Sequence, residues 1–541
     1  MPTRTPDAAQ WAEIHRLMGE ASAAFARNDF AAAARDSERV LALHPEMPDA
    51  LHLLGLCVMA GGNLPQGEAL LRRAFGLKPG DAQLARNLGV ALAQSGDAAG
   101  ALAAFARAVA LDPADPVSQF NLAVVSEEAG DVASAERAYR ASLKLAPANA
   151  AAAAGLAALL EQRNALEEAA SRCEAALALD PTDPVANLTR AQLDFRAGEH
   201  AKAAERLEAL LARPLSSRNR ALAAGRLGTA YDRLDQPARA WQRFLTAKSA
   251  LADTLPPPAA DGPYSFTTAA RMAAHADVLL DAGRVAAKGG ETPVFLVGFP
   301  RSGTTLLDQM LSGHPAISVL EEQDTLQDAL HEYALSDNGL DALRRLDADG
   351  LARLRALYWR RVGGFMPQRP QGTLFVDKLP LNTVFMPLIH RLFPAARFIF
   401  ALRDPRDVVL SCFMQSFSLN EAMRHFLSLK ETADYYAAVM GVGRHCVEHL
   451  PEVTHRIRYE DVVEDPETAA RRLLGFLRLD WDPEVLDFQE TARKRRINTP
   501  SYHQVAQPIY GSSRQRWRRY EDQLAPVLPI LQPFVEAFGY E

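Results

Sequence analysis

The chain has 541 residues, 48% of them apolar and 23% charged, with a formal net charge of −7. That length exceeds one hydrophobic core and predicts two or more folded domains, and the charge balance excludes a general nucleic-acid binder. The four cysteines, Cys57, Cys173, Cys412 and Cys446, form no C-x-x-C pair, no signal-like leader is present and no apolar run reaches about 18 residues, so a soluble, cytoplasmic protein with no membrane association is expected.

Helical repeats come first. Prolines recur at Pro45, Pro79, Pro113, Pro147 and Pro181, each 34 residues after the last, a period that belongs to helix-turn-helix repeats. In that register one position holds Ala21, Gly55, Gly89, Ala123, Ala157 and Ala191, and a second holds Ala33, Gly67, Ala101, Ala135, Ala169 and Ala203. Small residues at facing positions let two helices approach closely, and the proline, which lacks an N–H, ends the second helix. A seventh, weaker unit follows from residue 221, with Gly228, Ala240 and Ala247 in the matching places. The pattern resembles the tetratricopeptide repeat family over roughly residues 10–254, about seven repeats. That resemblance implies an all-α solenoid whose concave face holds a protein partner, a peptide or another extended ligand; the array can instead serve stability and self-association into a homo-oligomer.

The run LPPPAADGP, residues 255–263, cannot continue a helix and reads as a linker; with a connecting helix over about 266–286 it extends to residue 292. From Val294 onward strands alternate with helices, which predicts an α/β domain with a parallel sheet over residues 293–541.

That domain opens with VFLVGFPRSGTTLLDQML, residues 294–311. A buried strand, Val294 to Val297, leads into Gly298 and Gly303, the G-x-x-x-x-G spacing of a P-loop-like cradle for phosphate oxygens. The lysine that reaches the terminal phosphates in an NTPase is replaced by Thr304, and no magnesium-binding acid is evident. Arg301, Ser302, Gly303, Thr304 and Thr305 can therefore hold a 5′-phosphate group without being built to hydrolyse it. Downstream, SVLEEQDTL (318–326) presents the acidic pair Glu321 and Glu322, and FVDKLPLN (375–382) reads as a strand whose end points Lys378 toward the crevice. In RFIFALRDPRDVVLSCFMQSF, residues 397–417, a strand delivers Arg403, and Ser411 follows two helical turns later if a helix starts at Pro405. A guanidinium and a hydroxyl so placed grip a second phosphate. Two phosphate sites at strand ends imply a nucleotide with phosphate at both ends, such as 3′-phosphoadenosine 5′-phosphosulfate.

FPRSGTT and RDPRDVVLS resemble the 5′-phosphosulfate and 3′-phosphate motifs of sulfotransferases, and their order and spacing are most similar to the tyrosylprotein sulfotransferase branch over roughly residues 293–541. The resemblance implies transfer of a sulfonate from 3′-phosphoadenosine 5′-phosphosulfate to a hydroxyl acceptor, leaving 3′,5′-bisphosphoadenosine, with no metal. It makes Glu322 the catalytic base and Lys378, assisted by Arg301, the cation on the transferring or leaving oxygen. Tyr459, at the end of a short strand in RIRYEDVVEDPE, becomes a cofactor contact, and the S-x-x-Q-V-x-Q-P segment Ser501 to Pro508 a lid that places Ser501 and Arg516 on the nucleotide. There are departures: Arg516 stands where a lysine is usual, and Gln415 where a second arginine is expected, which puts one 3′-phosphate contact in doubt. The acceptor stays open among peptide tyrosine, other protein hydroxyls, saccharides and small molecules. A repeat scaffold with a non-catalytic nucleotide-binding domain is the competing reading, and a P-loop kinase is disfavoured by Thr304.

Overall fold

A computed structural model describes residues 7–255, 262–283, 291–336, 338–415, 417, 420–487 and 514–541. It divides into two compact units, one ending at Pro214 and one running from Leu215 to Glu541.

The first unit is six helix pairs: Ala8–Ala26 with Phe30–Leu43, Pro48–Ala60 with Leu64–Leu77, Ala82–Ser95 with Ala98–Leu111, Pro116–Glu128 with Val132–Leu145, Ala150–Gln162 with Leu166–Leu179, and Pro184–Arg196 with His200–Leu211. The second helices of the first five pairs end at leucines two residues before the periodic prolines. Their starts are equally periodic: the side chains of Asp29, Asn63, Asp97 and Asp131 each accept a hydrogen bond from a first-turn N–H and so satisfy one of the helix's orphan donors. Successive repeats are tied by side chains as well, Arg73 donating to the Pro45 carbonyl at 2.7 Å and Arg107 to the Pro79 carbonyl at 3.3 Å. The small-residue register does what its spacing predicts. In the second pair a Cβ added at Gly67 would stand 2.9 Å from the Gly55 carbonyl oxygen and 2.3 Å from Met59 Cγ.

The second unit begins with a seventh helix pair, Ser217–Arg233 and Pro237–Ala252. Its inner face keeps the small-residue register, with Gly228 against the Phe244 ring. Its outer side packs on the α/β part: Trp241 lies 4.8 Å between ring centroids from Phe413, and Asp232 accepts the Tyr520 hydroxyl at 2.7 Å. The connecting helix is Phe266–Gly283.

Five parallel strands follow: β1 Val294–Gly298, β2 Ile317–Glu321, β3 Leu374–Lys378, β4 Arg397–Leu402 and β5 Thr454–Arg458, in the order β2-β3-β1-β4-β5. Alternation along the strands divides two apolar faces. Val294, Leu296, Val376, Ile399 and Ile457 pack with the helices Thr304–Gly313 and Pro466–Leu477, whereas Phe295 stacks on Phe398 at 6.0 Å on the other side. Burial on both faces is why β1 and β4 read as near-continuous apolar runs, whereas the edge strand β5, Thr454–Arg458, is largely polar. From β1 the chain runs first to the edge strand β2, returns to β3 between the two, and then crosses to β4 and β5 on the other side of β1, so loops leaving the carboxyl ends of β1 and β4 diverge and open a crevice.

The Gly55–Gly67 approach is backbone against backbone and cannot be relieved by a side-chain rotation. Gly67→Ala should destabilise the first unit by about 1–3 kcal/mol, measured as a lower unfolding midpoint in chemical denaturation, whereas alanine at the open position Gly76, which has nothing within 4 Å of its would-be Cβ, should be neutral or better.

Candidate active site

The loop after β1 is held in a conformation that few residues adopt. Gly298, Arg301 and Gly303 have φ of 157°, 71° and 94°, and Arg301, which carries a Cβ, occupies the left-handed region at a steric cost. Neighbouring elements hold it there. A Cβ at Gly298 would meet the Ala401 carbonyl oxygen of β4 at 2.7 Å, and one at Gly303 would meet Tyr459 Cδ2 at 2.7 Å. Thr383 donates its hydroxyl to the Gly298 carbonyl at 2.7 Å. The helix Thr304–Gly313 then starts at Gly303 with no side chain capping it, which leaves its positive end to an anion. Ser302, Thr304 and Thr305 are all buried around that end.

The carboxyl end of β4 faces this loop. Asp404 caps the helix Pro405–Met414 through the Arg406 N–H at 2.9 Å, and Ser411 projects from its second turn. Arg301 Nε donates to Ser411 Oγ at 3.1 Å, Arg403 Nη1 donates to the Arg301 carbonyl at 3.1 Å, and the Arg403 guanidinium lies 4.9 Å from the Tyr459 ring centroid. Burial, together with the nearby Arg403 and Arg516 cations, pulls the Arg301 guanidinium down to about 10. Cations held together against their own repulsion form an anion site, and the donors here suit phosphate oxygens. Arg301, Ser302, Gly303, Thr304, Thr305, Arg403, Ser411 and Tyr459 are thus brought together by three strand ends. Their donor set and the glycine-lined cradle fit a nucleotide bearing two phosphates.

Glu322 and Lys378 form a second group beside the first. Lys378 is fully buried at the end of β3, and its Nζ lies 2.8 Å from Glu322 Oε1, 3.0 Å from Glu321 Oε1 and 4.0 Å from Asp308 Oδ2 on the loop's own helix. Burial alone would lower this ammonium, but the carboxylates of Glu322, Asp308 and Glu321 outweigh it and keep Lys378 above its ordinary value. Glu322 turns back from β2 through a φ of 48°, with its N–H on the Lys378 carbonyl at 2.7 Å. A carboxylate and a protonated ammonium are therefore placed together where the ends of β2 and β3 converge, the pairing that a proton acceptor and a charge stabiliser require.

Arg516 is placed differently. Its ion pair is with Asp232 at 2.6 Å, and Arg519 and Tyr520 share the same carboxylate. Ser501 and the Ser501–Pro508 segment lie outside the described residues. Three features had no local sequence signal. Lys248, buried with its ammonium pulled down to about 8, donates at 2.9 Å to the carbonyl of Gln415, the position where a second arginine was expected. Asp407 accepts the N–H groups of Gln515 and Trp517, both at 2.8 Å. Asp377, directly before Lys378, accepts from Thr325 at 2.6 Å and Tyr358 at 2.9 Å. The one group among the described residues with metal-ligand spacing, Asp277, His445 and His449, comes from the helices Phe266–Gly283 and Leu429–His449 and includes none of these side chains.

A model of the sulfotransferase family matches residues 293–483, and one of the tetratricopeptide repeat matches residues 18–82, 59–116 and 120–184. An uncharacterized protein of Aquifex aeolicus is 32% identical over 249 residues, which are 44% of this chain and 32% of that protein. Protein-tyrosine sulfotransferase A of Caenorhabditis elegans is 23% identical over 261 residues, 46% of this chain and 67% of that protein. The match thus spans about a third of the Aquifex relative's length. A solved tetratricopeptide repeat protein from Parabacteroides merdae is 17% identical, with 46% of this chain and 95% of that chain covered at a TM-score of 0.37. No described helix is long and apolar enough to cross a membrane.

Burial pushes the Asp377 carboxyl up to about 6, against the lowering hydrogen bonds from Thr325 and Tyr358. That lies above the ordinary value of about 3.9, so the folded state holds this proton more tightly than the unfolded chain. The linked stabilisation is complete below about pH 4 and is lost as the pH rises through about 6. Unfolding midpoints of the wild type and Asp377→Asn, taken across that range, should show the wild type losing ground to the variant as the pH rises. A pH-independent difference would mean that Asp377 does not titrate there.

Proposed function

We propose that this chain, which carries tetratricopeptide repeats and a sulfotransferase-family domain, transfers a sulfonate from 3′-phosphoadenosine 5′-phosphosulfate to a hydroxyl acceptor. The observation that supports this most is the Lys378–Glu322 pair, 2.8 Å apart, beside a doubly gripped anion site. Arg301 to Thr305 would hold the 5′-phosphosulfate and Arg403 with Ser411 the 3′-phosphate. When bound, the nucleotide supplies the electrophilic sulfur and a phosphate leaving group. The chain's own work is then to orient and neutralise. Glu322 takes the proton of the acceptor hydroxyl, and Lys378 and Arg301 offset the charge that builds at the reacting oxygens. With side-chain cations in that role, no metal is invoked. Tyrosine within a peptide is the acceptor suggested by relatives named protein-tyrosine sulfotransferases. The repeat array would recruit the acceptor or another protein partner on its concave face.

Calorimetric titration with 3′,5′-bisphosphoadenosine and with ATP, both without magnesium, should show selective binding of the bisphosphate. Arg403→Ala should weaken it by roughly 10- to 100-fold, the worth of one charged hydrogen bond; equal or preferred ATP binding would sink the reading. Glu322→Gln should leave bisphosphate affinity unchanged while labelled sulfonate transfer falls by about 10²- to 10⁴-fold.

A further inference from the structure

Near the Glu322–Lys378 pair, close enough for the Glu322 carboxylate to act on the Tyr264 hydroxyl in its wall, is a cavity of about 240 Å³ that none of the roles above uses. It connects to that pair through the chain itself: Thr325, on its wall, donates to Asp377, and Leu379, also on its wall, follows Lys378. One part of the wall is apolar, with Leu326, Leu330 and the Tyr264 ring. Another part is polar, with Asp324, Asn382 and Glu421. Asn382 is 1% exposed, and its amide Nδ2 has no hydrogen-bond partner. The Glu421 carboxylate, which the Tyr264 backbone N–H bonds, buries its Oε1 beside the same wall. A native interior seldom strands an amide donor in a cavity, so Asn382 points to a ligand with an acceptor atom.

The charge of the wall limits what that ligand can be. Among the described residues lining the cavity there is no lysine or arginine. The Tyr264 hydroxyl is pushed up first by burial and then by the carboxylates of Asp324, Asp377, Glu421 and Glu322, so the field inside is negative. We propose that this cavity is the acceptor subsite, and that it selects a hydroxyl on an aromatic or aliphatic body bearing a cationic group and rejects one bearing a carboxylate. This rests on the sulfotransferase reading and adds the acceptor's charge to it. The apolar wall holds the body, Asn382 donates to an oxygen of the acceptor, and Glu421 with Asp324 faces the cation. The volume lies just below the roughly 300–1,000 Å³ of drug-sized pockets and suits a phenol with a short arm. A like charge beside a carboxylate in a partly desolvated cavity is repelled, enough to decide between ligands of equal shape.

The test uses the whole 541-residue chain saturated with 3′,5′-bisphosphoadenosine and two phenols of similar size, tyramine, which carries an ammonium, and 4-hydroxyphenylacetate, which carries a carboxylate. Calorimetry should give tyramine the tighter binding by about tenfold or more, and the double variant Asp324→Asn, Glu421→Gln should narrow the ratio to within about threefold. The variant's bisphosphate affinity, expected to be unchanged, reports that it is folded, and Glu421→Gln alone should move the ratio in the same direction. Equal affinities, a preference for the carboxylate, binding of neither phenol, or a ratio that the variants leave untouched would overturn the inference. A wild type that fails to bind the bisphosphate would instead overturn the sulfotransferase reading beneath it.

Discussion

The second unit is organised around a cation taken completely out of water. Lys378 has no exposed surface, and a buried ammonium without partners would cost several kcal/mol. Three carboxylates offset that cost, and they come from two other elements: Glu321 and Glu322 from the end of β2, and Asp308 from the helix that follows the anion-binding loop. The requirement therefore couples β2 and β3 closely and the loop helix more loosely, through Asp308 at 4.0 Å. Glu322's left-handed backbone and its N–H bond to the Lys378 carbonyl are the local means by which the chain meets this demand. Arrangements of this kind contribute little net stability, so placing a carboxylate and an ammonium together is better understood as serving chemistry.

The group around the loop after β1 is built differently: the Arg301 and Arg403 cations gather there with hydroxyls and backbone N–H groups, and the buried acids beside them, Asp404 and Asp407, are held by the helix start and by the Gln515 and Trp517 N–H groups. Parallel strands bring all their carboxyl ends to one edge, and there the loop after β1 meets Arg403 from β4 and Tyr459 from β5. Gly298 and Gly303 allow the close approaches to Ala401 and Tyr459, while the left-handed Arg301 stores strain that its surroundings hold in place. The Cys412 thiol against the Pro300 carbonyl and the Arg301–Ser411 bond fasten the loop to the helix after β4. Both groups of donors thus belong to one edge of the sheet.

The seventh helix pair shows how a sequence register and a packing surface can part company. Its glycine and alanines lie where the period requires, because they govern how the two helices of one pair meet. The pair's outer surface answers to other forces. Asp232, 6% exposed, collects Arg516, Arg519 and Tyr520, and Trp241 packs on Phe413, so the pair is part of the α/β unit. The same contacts give Arg516 a carboxylate partner while its charge still reaches Arg301.

What the sequence by itself determined is local and periodic. The 34-residue repeat, the strand–loop–helix around Gly298 to Thr305, the Arg403–Ser411 spacing across a helix start and the position of Lys378 at a strand end all depend on backbone rules spanning a few residues or one repeat. Tertiary structure alone decided which of these groups meet. Lys378 is shared by Glu321, Glu322 and Asp308, and Lys248 reaches the Gln415 carbonyl across 167 positions. Arg516 finds Asp232 across 284 positions, and Asn382 and Glu421 come to line one cavity. Periodicity and capping fix dihedral angles along the chain, but they carry no information about distant partners. Those are chosen by the need to pair every buried charge while the sheet's two faces are covered.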